Sequence, residues 1–228
     1  MGSANTSNTS RTARIEEMRR AEKARERRNR LLVIAASVVV VAGLVVGGVV
    51  LVNSQKDKDS SRASDSKPSG QPSVQPAGHF ETGRDGVKTW KGTLGRTHVK
   101  TDVRYPVEPP VGGDHNPVWQ NCNGDVYTKP LDNVNAVHSL EHGAVWVTYN
   151  SKAAKKDIDA LAAKVRATPY TLMSPDDKQQ DPIMLTAWAH QRTVTGAGDP
   201  AVAAFLEQFV QGKQTPEPGA VCTGGLSQ

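Results

Sequence analysis

The segment His138-Ser-Leu-Glu-His142-Gly places two imidazoles and a carboxylate within five residues. His115 lies upstream in a loop rich in glycine and proline, and the chain has only six histidines. Neutral imidazole is the commonest metal ligand in proteins, and a carboxylate can complete such a site. The clustering therefore predicts a metal site. A solvated turn whose histidines are neighbours by chance is the alternative.

The donor types bear on which metal is bound. Imidazole together with the thioethers of Met173 and Met184 favours copper, since soft donors select it over calcium or magnesium. Zinc suits three histidines equally well and accepts a carboxylate such as Glu141. We expect copper ahead of zinc, although both methionines also fit an ordinary apolar core. The candidate ligands are His98, His115, His138, His142, Glu141, Met173 and Met184.

The spelling His-x-x-Glu-His also matches the inverted zincin motif of metallopeptidases, in which both histidines lie on one helical face and the glutamate is the general base. Here Gly143 follows at once, and a run rich in Val and aromatic residues comes next. The sequence therefore predicts a loop that enters a strand, and metal-dependent hydrolysis is the weaker hypothesis. The chain contains no Gly-x-Ser-x-Gly elbow, phosphate loop or dinucleotide fingerprint. We expect a binding protein rather than an enzyme.

Hydrophobic periodicity defines the elements that must position these side chains. The predicted elements are a short strand at 97–105, a buried strand at 144–149, a helix at 151–166 capped by Ser151, strands at 170–173 and 183–189, and a helix that Asp199-Pro200 opens and Gly212 ends. Residues 79–130 are otherwise rich in loops. This order predicts an α+β fold: one domain with a mixed β-sheet and two helices.

The chain has two cysteines, Cys122 and Cys222. Both lie in the same predicted domain, and an isolated pair outside the cytoplasm usually forms a disulfide. We therefore predict a Cys122–Cys222 bond that fastens the C-terminal tail to the loop near the histidines. Two free thiols that bind metal are the alternative.

An uncharged apolar run begins at Leu31 and ends at Val52. As a helix it is long enough to span the bilayer core of roughly 30 Å, and it exceeds the apolar region of a cleaved signal. The preceding residues, from Arg11 to Arg30, are dense in Arg and Lys. The positive-inside rule then predicts a single-pass membrane protein with a cytoplasmic N-terminus and an extracellular or periplasmic C-terminal domain.

The formal charge of +5 arises largely from this basic arm. Anionic lipid headgroups are its expected partner, and no nucleic-acid-binding motif accompanies it. A polar stretch rich in Ser, Pro and Lys then links the membrane to the folded domain. The predicted parts are a basic cytoplasmic arm at 1–30, the transmembrane helix at 31–52, a disordered linker at 53–78 and the outer domain at 79–228. A noncatalytic module that joins a membrane protein complex is the alternative to metal binding.

Several motifs together resemble the bacterial domain of unknown function family 3105. They are His98-Val99, Tyr105, Pro109-Pro110-x-Gly-Gly-x-His115, Gly124-x-Val-Tyr127, His138-Ser-Leu-Glu-His142-Gly-x-Val and Leu185-Thr-Ala-Trp188. Many members have Pro-Pro-Thr-Ser-Gly-x-His at this place, whereas this chain has Pro109-Pro110-Val111-Gly112-Gly113-Asp114-His115. That departure changes the loop and keeps the histidine. The resemblance implies a membrane-anchored domain exposed in the cell envelope, and it implies no established activity.

Overall fold

The computed structural model describes residues 72–227. The predicted arm, membrane helix and most of the linker therefore lie outside the described residues. Within residues 72–227, no helix is long and apolar enough to cross a membrane. The described elements, in chain order, are β1 (Ser73–Val74), β2 (His79–Thr82), β3 (Lys88–Lys91), β4 (Val103–Arg104), β5 (Asn123–Val126), α1 (Asn133–Glu141), β6 (Val145–Tyr149), α2 (Lys155–Arg166), β7 (Thr171–Pro175), β8 (Ile183–Ala187), β9 (His190–Thr193) and α3 (Pro200–Phe209).

Seven of the strands form one mixed sheet in the order β2-β3-β9-β8-β6-β7-β5. The β5, β7 and β6 strands run parallel, and the remaining neighbours are antiparallel. The parallel step from β6 to β7 requires a crossover, which α2 supplies. This confirms the predicted mixed α+β class. The described residues hold three helices where the sequence analysis expected two.

The two faces of the sheet carry separate apolar clusters. On one face, Val147 and Leu185 pack with residues of α2 and α3, including Leu161 and Phe205. On the other face, α1 packs against Trp146 together with the cysteines and other apolar residues. Because side chains alternate along a strand, neighbouring residues of β6 serve opposite clusters.

Helix α1 corrects the prediction of a loop at the histidine motif. Asp132 precedes the helix with extended backbone, and His142 caps its end. Gly143 then adopts a left-handed φ of +88°, which ends the helix and redirects the chain. The strand β6 begins only two residues later. A glycine directly after the motif is thus compatible with a helix that contains the motif, because the reversal takes a single residue.

Other predicted boundaries shift as well. The strand expected at 97–105 shortens to β4, with an isolated bridge between His98 and His115. The α2 helix begins after Ala154 and not at Ser151, which lies in a turn. By contrast, α3 begins at the predicted Asp199-Pro200 pair, with the Asp199 side chain accepting from the Ala201 N–H. It ends at Phe209, before Gly212.

Candidate metal centre

Helix α1 and two loop segments converge on one cluster of histidines. His138 and Glu141 stand three residues apart on α1, so they share a face of the helix. The loop around His115 pairs with the segment around His98: the Val99 N–H donates to the His115 carbonyl at 2.7 Å, and the His115 N–H donates to the Thr97 carbonyl at 3.1 Å. This short ladder brings the two loop histidines together.

Four side chains offer donor atoms that all lie within 4.8 Å of one another: His98, His115, His138 and Glu141. His98 is exposed, and the other three are buried. The three rings contact one another: His138 stacks on His98 with 4.9 Å between ring centroids and lies 4.8 Å from His115, and His98 lies 5.0 Å from His115. The arrangement could hold one metal ion.

Backbone carbonyls fix the tautomers of the buried rings. Nδ1 of His115 lies 2.7 Å from the Gly113 carbonyl oxygen, and Nδ1 of His138 lies 2.7 Å from that of Asn116. A carbonyl only accepts, so each Nδ1 carries a proton and donates it. The neutral form of each ring therefore has its lone pair on Nε2. Such carbonyl partners are the usual outer contacts of metal-binding histidines.

Burial is the largest cause that lowers the pKa of His138. Together with the neighbouring imidazoles of His142, His115 and His98, and against the Asn116 hydrogen bond, it brings this pKa to about 4. Near neutral pH this ring is uncharged. Its Nε2 is then available to a metal without first losing a proton.

The carboxylate of Glu141 is 1% exposed. Its Oε1 accepts from Arg96 Nε at 2.5 Å. Burial alone would raise the pKa of Glu141, but the close contact with His115 and the hydrogen bond and charge of Arg96 together lower it to about 2. The cluster therefore contains a permanent negative charge at neutral pH.

The contact between His115 and Glu141 is favourable only if a proton or another cation lies between the two side chains. Nε2 of His115 lies 2.9 Å from Oε2 of Glu141, yet this buried nitrogen has no hydrogen bond of acceptable geometry. With Nδ1 already donating, a neutral His115 would set two acceptor atoms against each other. Either a proton on Nε2 or a cation bound by both atoms resolves the conflict.

Three other predicted ligands lie differently. The His142 ring contacts that of His138, with centroids 4.5 Å apart, but its Nδ1 is held by the Val221 carbonyl at 2.7 Å and its Nε2 faces Glu217 at 3.9 Å. Met173 is fully buried in the cluster on the α2 face, so the sheet separates its thioether from the histidines. Met184 is buried in β8, where it pairs with Thr148.

Cys122 and Cys222 lie at disulfide distance, with 2.01 Å between their sulfur atoms. Both are fully buried beside α1. Because the sulfurs are bonded to each other, the alternative of two free thiols as ligands is wrong for this structure. The pairing holds the C-terminal tail next to the loop before β5, and through Val221 it supports His142.

Three residues of the site were not found from the sequence. Arg96 holds Glu141, and Glu217 on the tail accepts from Arg96 at 3.3 Å. The Trp119 ring lies 5.7 Å from that of His138 and 5.2 Å from that of His142. For Arg96 and Trp119, nearness in sequence to His98 and His115 was the available signal, but charged and aromatic residues are common in loops, so it carried no specific information. Glu217 lies far along the chain and had no such signal.

Comparison with known proteins identifies a family for this chain but does not assign it an activity. Neither the curated proteins nor the solved structures include a significant match to this chain. A family model described as "Protein of unknown function (DUF3105)" matches residues 98–224. That span contains all four clustered side chains and both cysteines. The chain therefore belongs to the DUF3105 family.

Proposed function

We propose that this protein is a membrane-tethered extracytoplasmic metal-binding protein that holds one divalent transition-metal ion, copper ahead of zinc. The observation that carries the proposal is the set of donors on His98, His115, His138 and Glu141, which lie within 4.8 Å of one another. The fixed tautomers of the buried rings and the unsatisfied His115 Nε2 support it.

The donor spacing suits a site that closes around its ion. With bonds of about 2.1 Å, a tetrahedral metal separates its donors by roughly 3.4 Å. The observed spread of up to 4.8 Å is wider. His98 is the exposed member of the set and lies on a loop, so its side chain is the one best able to move inward.

Ligand chemistry favours divalent copper. Sites built from nitrogen and oxygen donors bind Cu²⁺ more tightly than Zn²⁺ in the Irving–Williams order. Thiolate is not offered, since the cysteines are bonded to each other, and the Met173 thioether lies on the other face of the sheet. Because Met173 does not face the histidines, the imidazoles are the main reason to expect copper.

The geometry disfavours hydrolysis with Glu141 as general base. One oxygen of this carboxylate accepts from Arg96, and the other lies against His115. A pKa near 2 makes it a weak acceptor of protons at neutral pH. Although the motif is helical after all, the glutamate serves better as a ligand or counter-charge.

Metal titration of the full chain, purified in detergent and stripped with chelator, tests the proposal. We expect about one equivalent of Cu²⁺ to bind, with weaker binding of Zn²⁺, and nitrogen couplings from imidazole in the paramagnetic resonance spectrum of the copper form. The variant His98→Ala should weaken affinity at least tenfold. Because His98 is exposed, this variant should keep the fold.

The matched control is His79→Ala, which removes an exposed histidine on β2 that lies outside the cluster. It should bind metal as the wild type does. If the wild-type chain binds no more copper or zinc than a variant with His98, His115 and His138 all replaced, the proposal is wrong. Equal affinity in the His98→Ala and wild-type chains would remove His98 from the ligand set.

The tether is a separate part of the proposal. The apolar run at 31–52 and its basic flank support a single-pass anchor with the metal-binding domain outside the cytoplasm. Membrane fractions of cells that express the full chain should retain it through alkaline washing. Protease added to intact spheroplasts should digest the domain; protection of the domain would contradict the topology.

One observation favours a second candidate, a noncatalytic interaction module. Val118 and Leu226 are 42% and 39% exposed, and the Leu226 N–H donates to the Trp119 carbonyl at 2.9 Å. Apolar side chains thus gather at the surface beside the histidines. Crosslinking in membranes should capture a stoichiometric protein partner in the wild type and lose it in Val118→Asp, whether or not a chelator is present. Capture that depends on metal would favour the first proposal instead.

A further inference from the structure

A second concave site lies at the other end of α1. It is an open cavity of about 350 Å³, bordered by the start of α1, the segment before β4 and the chain that follows β7. The side chains that matter here are Glu108, Asp176, Trp146 and two lysines, Lys100 and Lys178. A volume of this size is at the lower end of the range for small-molecule sites, which begins at about 300 Å³.

Two carboxylates, those of Glu108 and Asp176, meet in this cavity. Asn133 Nδ2 donates to both oxygens of Glu108, at 2.9 and 3.0 Å. Asp176 is only 7% exposed, and its buried Oδ2 has no hydrogen-bond partner. Its other oxygen accepts from the Lys178 N–H at 3.0 Å.

The carboxylates of Glu108 and Asp176 are close enough to influence each other. Burial, the charge of Asp176 and the hydrogen bond that a protonated Glu108 shares with Asp176 raise the pKa of Glu108 to about 6, against the Asn133 hydrogen bond and the charge of Lys178. A buried acceptor with no partner costs free energy, which a donor from a ligand would recover. The pair therefore favours a ligand that brings N–H groups and positive charge.

We propose that this cavity binds the primary ammonium group of a small organic molecule, with Glu108 and Asp176 as its acceptors. An ammonium carries three N–H donors, enough to reach both carboxylates. The buried Trp146 ring, fixed by its Nε1–H donating to Ser174 Oγ at 3.0 Å, forms part of the cavity wall.

A divalent metal fits the cavity less well. Calcium takes six to eight oxygen ligands, and magnesium demands a near-octahedral set. In residues 72–227, the histidine cluster is the only group in which three or more His, Cys, Asp or Glu donors lie together. Although Asp102 and Asp132 also line the cavity, they do not form a group of metal-ligand spacing with the Glu108–Asp176 pair, and the space is far larger than one ion.

Calorimetry on the full chain, with chelator present to exclude the metal site, tests this proposal. The probe is 1,4-diaminobutane, and butane-1,4-diol is the uncharged compound of matching shape. We expect the diamine to bind and the diol not to bind. Each of Asp176→Asn and Glu108→Gln should weaken diamine binding by about 10- to 100-fold, the effect of losing a hydrogen bond to a charged group.

The matched control is Asp177→Asn, the neighbouring aspartate, which is exposed and does not line the cavity. It should leave diamine binding unchanged. The comparison of diamine with diol uses only the wild type, so it decides the matter even if a variant fails to fold. Equal heats for the two probes, or tight binding of Mg²⁺ or Ca²⁺ that excludes the diamine, would overturn the proposal.

Discussion

The two faces of the large sheet are stabilised in different ways. The face that carries α2 and α3 is an apolar core made of aliphatic and aromatic side chains from regular elements. The face that carries α1 mixes apolar residues with buried histidines, a buried glutamate and a disulfide. The α1 face thus holds groups whose burial costs free energy unless each finds a partner. Apolar residues thus dominate one side of the sheet, and the buried polar and titratable groups lie on the other.

The largest effect should come from the apolar face. Phe205 of α3 is 1% exposed within that cluster. Replacing it with alanine should lower the free energy of unfolding by about 3–5 kcal/mol, because the cavity cannot fully close. Denaturant unfolding measures this loss. Metal affinity of the folded fraction should not change, and a weakened metal site in Phe205→Ala would show that the faces are coupled.

Loss of the disulfide should act on the α1 face. The bond closes a loop of 100 residues and holds the tail that supports His142 through Val221. Replacing both cysteines with serine should lower the free energy of unfolding by about 2–5 kcal/mol. Hydrogen exchange should rise in residues 211–227 and not in α2. Alkylation of both cysteines in the purified chain without prior reduction would contradict the pairing itself.

Acid should weaken the metal-free protein through His138. Its pKa is about 4 in the folded chain and about 6.5 when exposed, so between these values the unfolded state binds more protons. This contribution to stability is therefore complete above about pH 6.5 and is lost as the pH falls to 4. The loss should be about 3 kcal/mol. Glu108, whose pKa is raised to about 6, acts in the opposite direction over part of this range.

Comparing variants separates the contribution of His138 to the pH dependence of unfolding from those of other groups. The pH dependence of unfolding should be recorded for the wild type, for His138→Asn and for the exposed control His79→Asn. The slope between pH 4 and 6.5 should flatten in His138→Asn alone. Equal slopes in all three chains would mean that His138 is not held neutral by burial.

The sequence predicted the apolar face better than the α1 face, for a physical reason. Periodic hydrophobicity identified β6, α2 and α3, because regular elements bury one side at a fixed spacing. The loop histidines His98 and His115 were recognised as candidates by residue type alone. Their meeting with α1 depends on a backbone ladder between two irregular segments, which no local pattern encodes.

The error at α1 has a similar origin. Gly143 was taken to exclude a helix, whereas its positive φ ends that helix within one residue. Arg96 and Glu217 are far apart in sequence, and the tail reaches the site through the disulfide. The type and approximate position of the candidate ligands were therefore predictable, and the ion pairs that surround them were not.

The smallest expected effect on stability concerns Arg96 on the α1 face, and Arg166 at the end of α2 provides the comparison on the other face. Its guanidinium is half exposed and donates to Glu141, so Arg96→Gln should lower the free energy of unfolding of the metal-free chain by only about 1 kcal/mol once solvent screening is considered. The same change frees one oxygen of Glu141, so Cu²⁺ should bind severalfold more tightly. The control Arg166→Gln removes an exposed arginine at the end of α2 and should alter neither quantity. Weaker copper binding in Arg96→Gln would mean that the arginine holds Glu141 in its ligating position and does not compete with the metal for it.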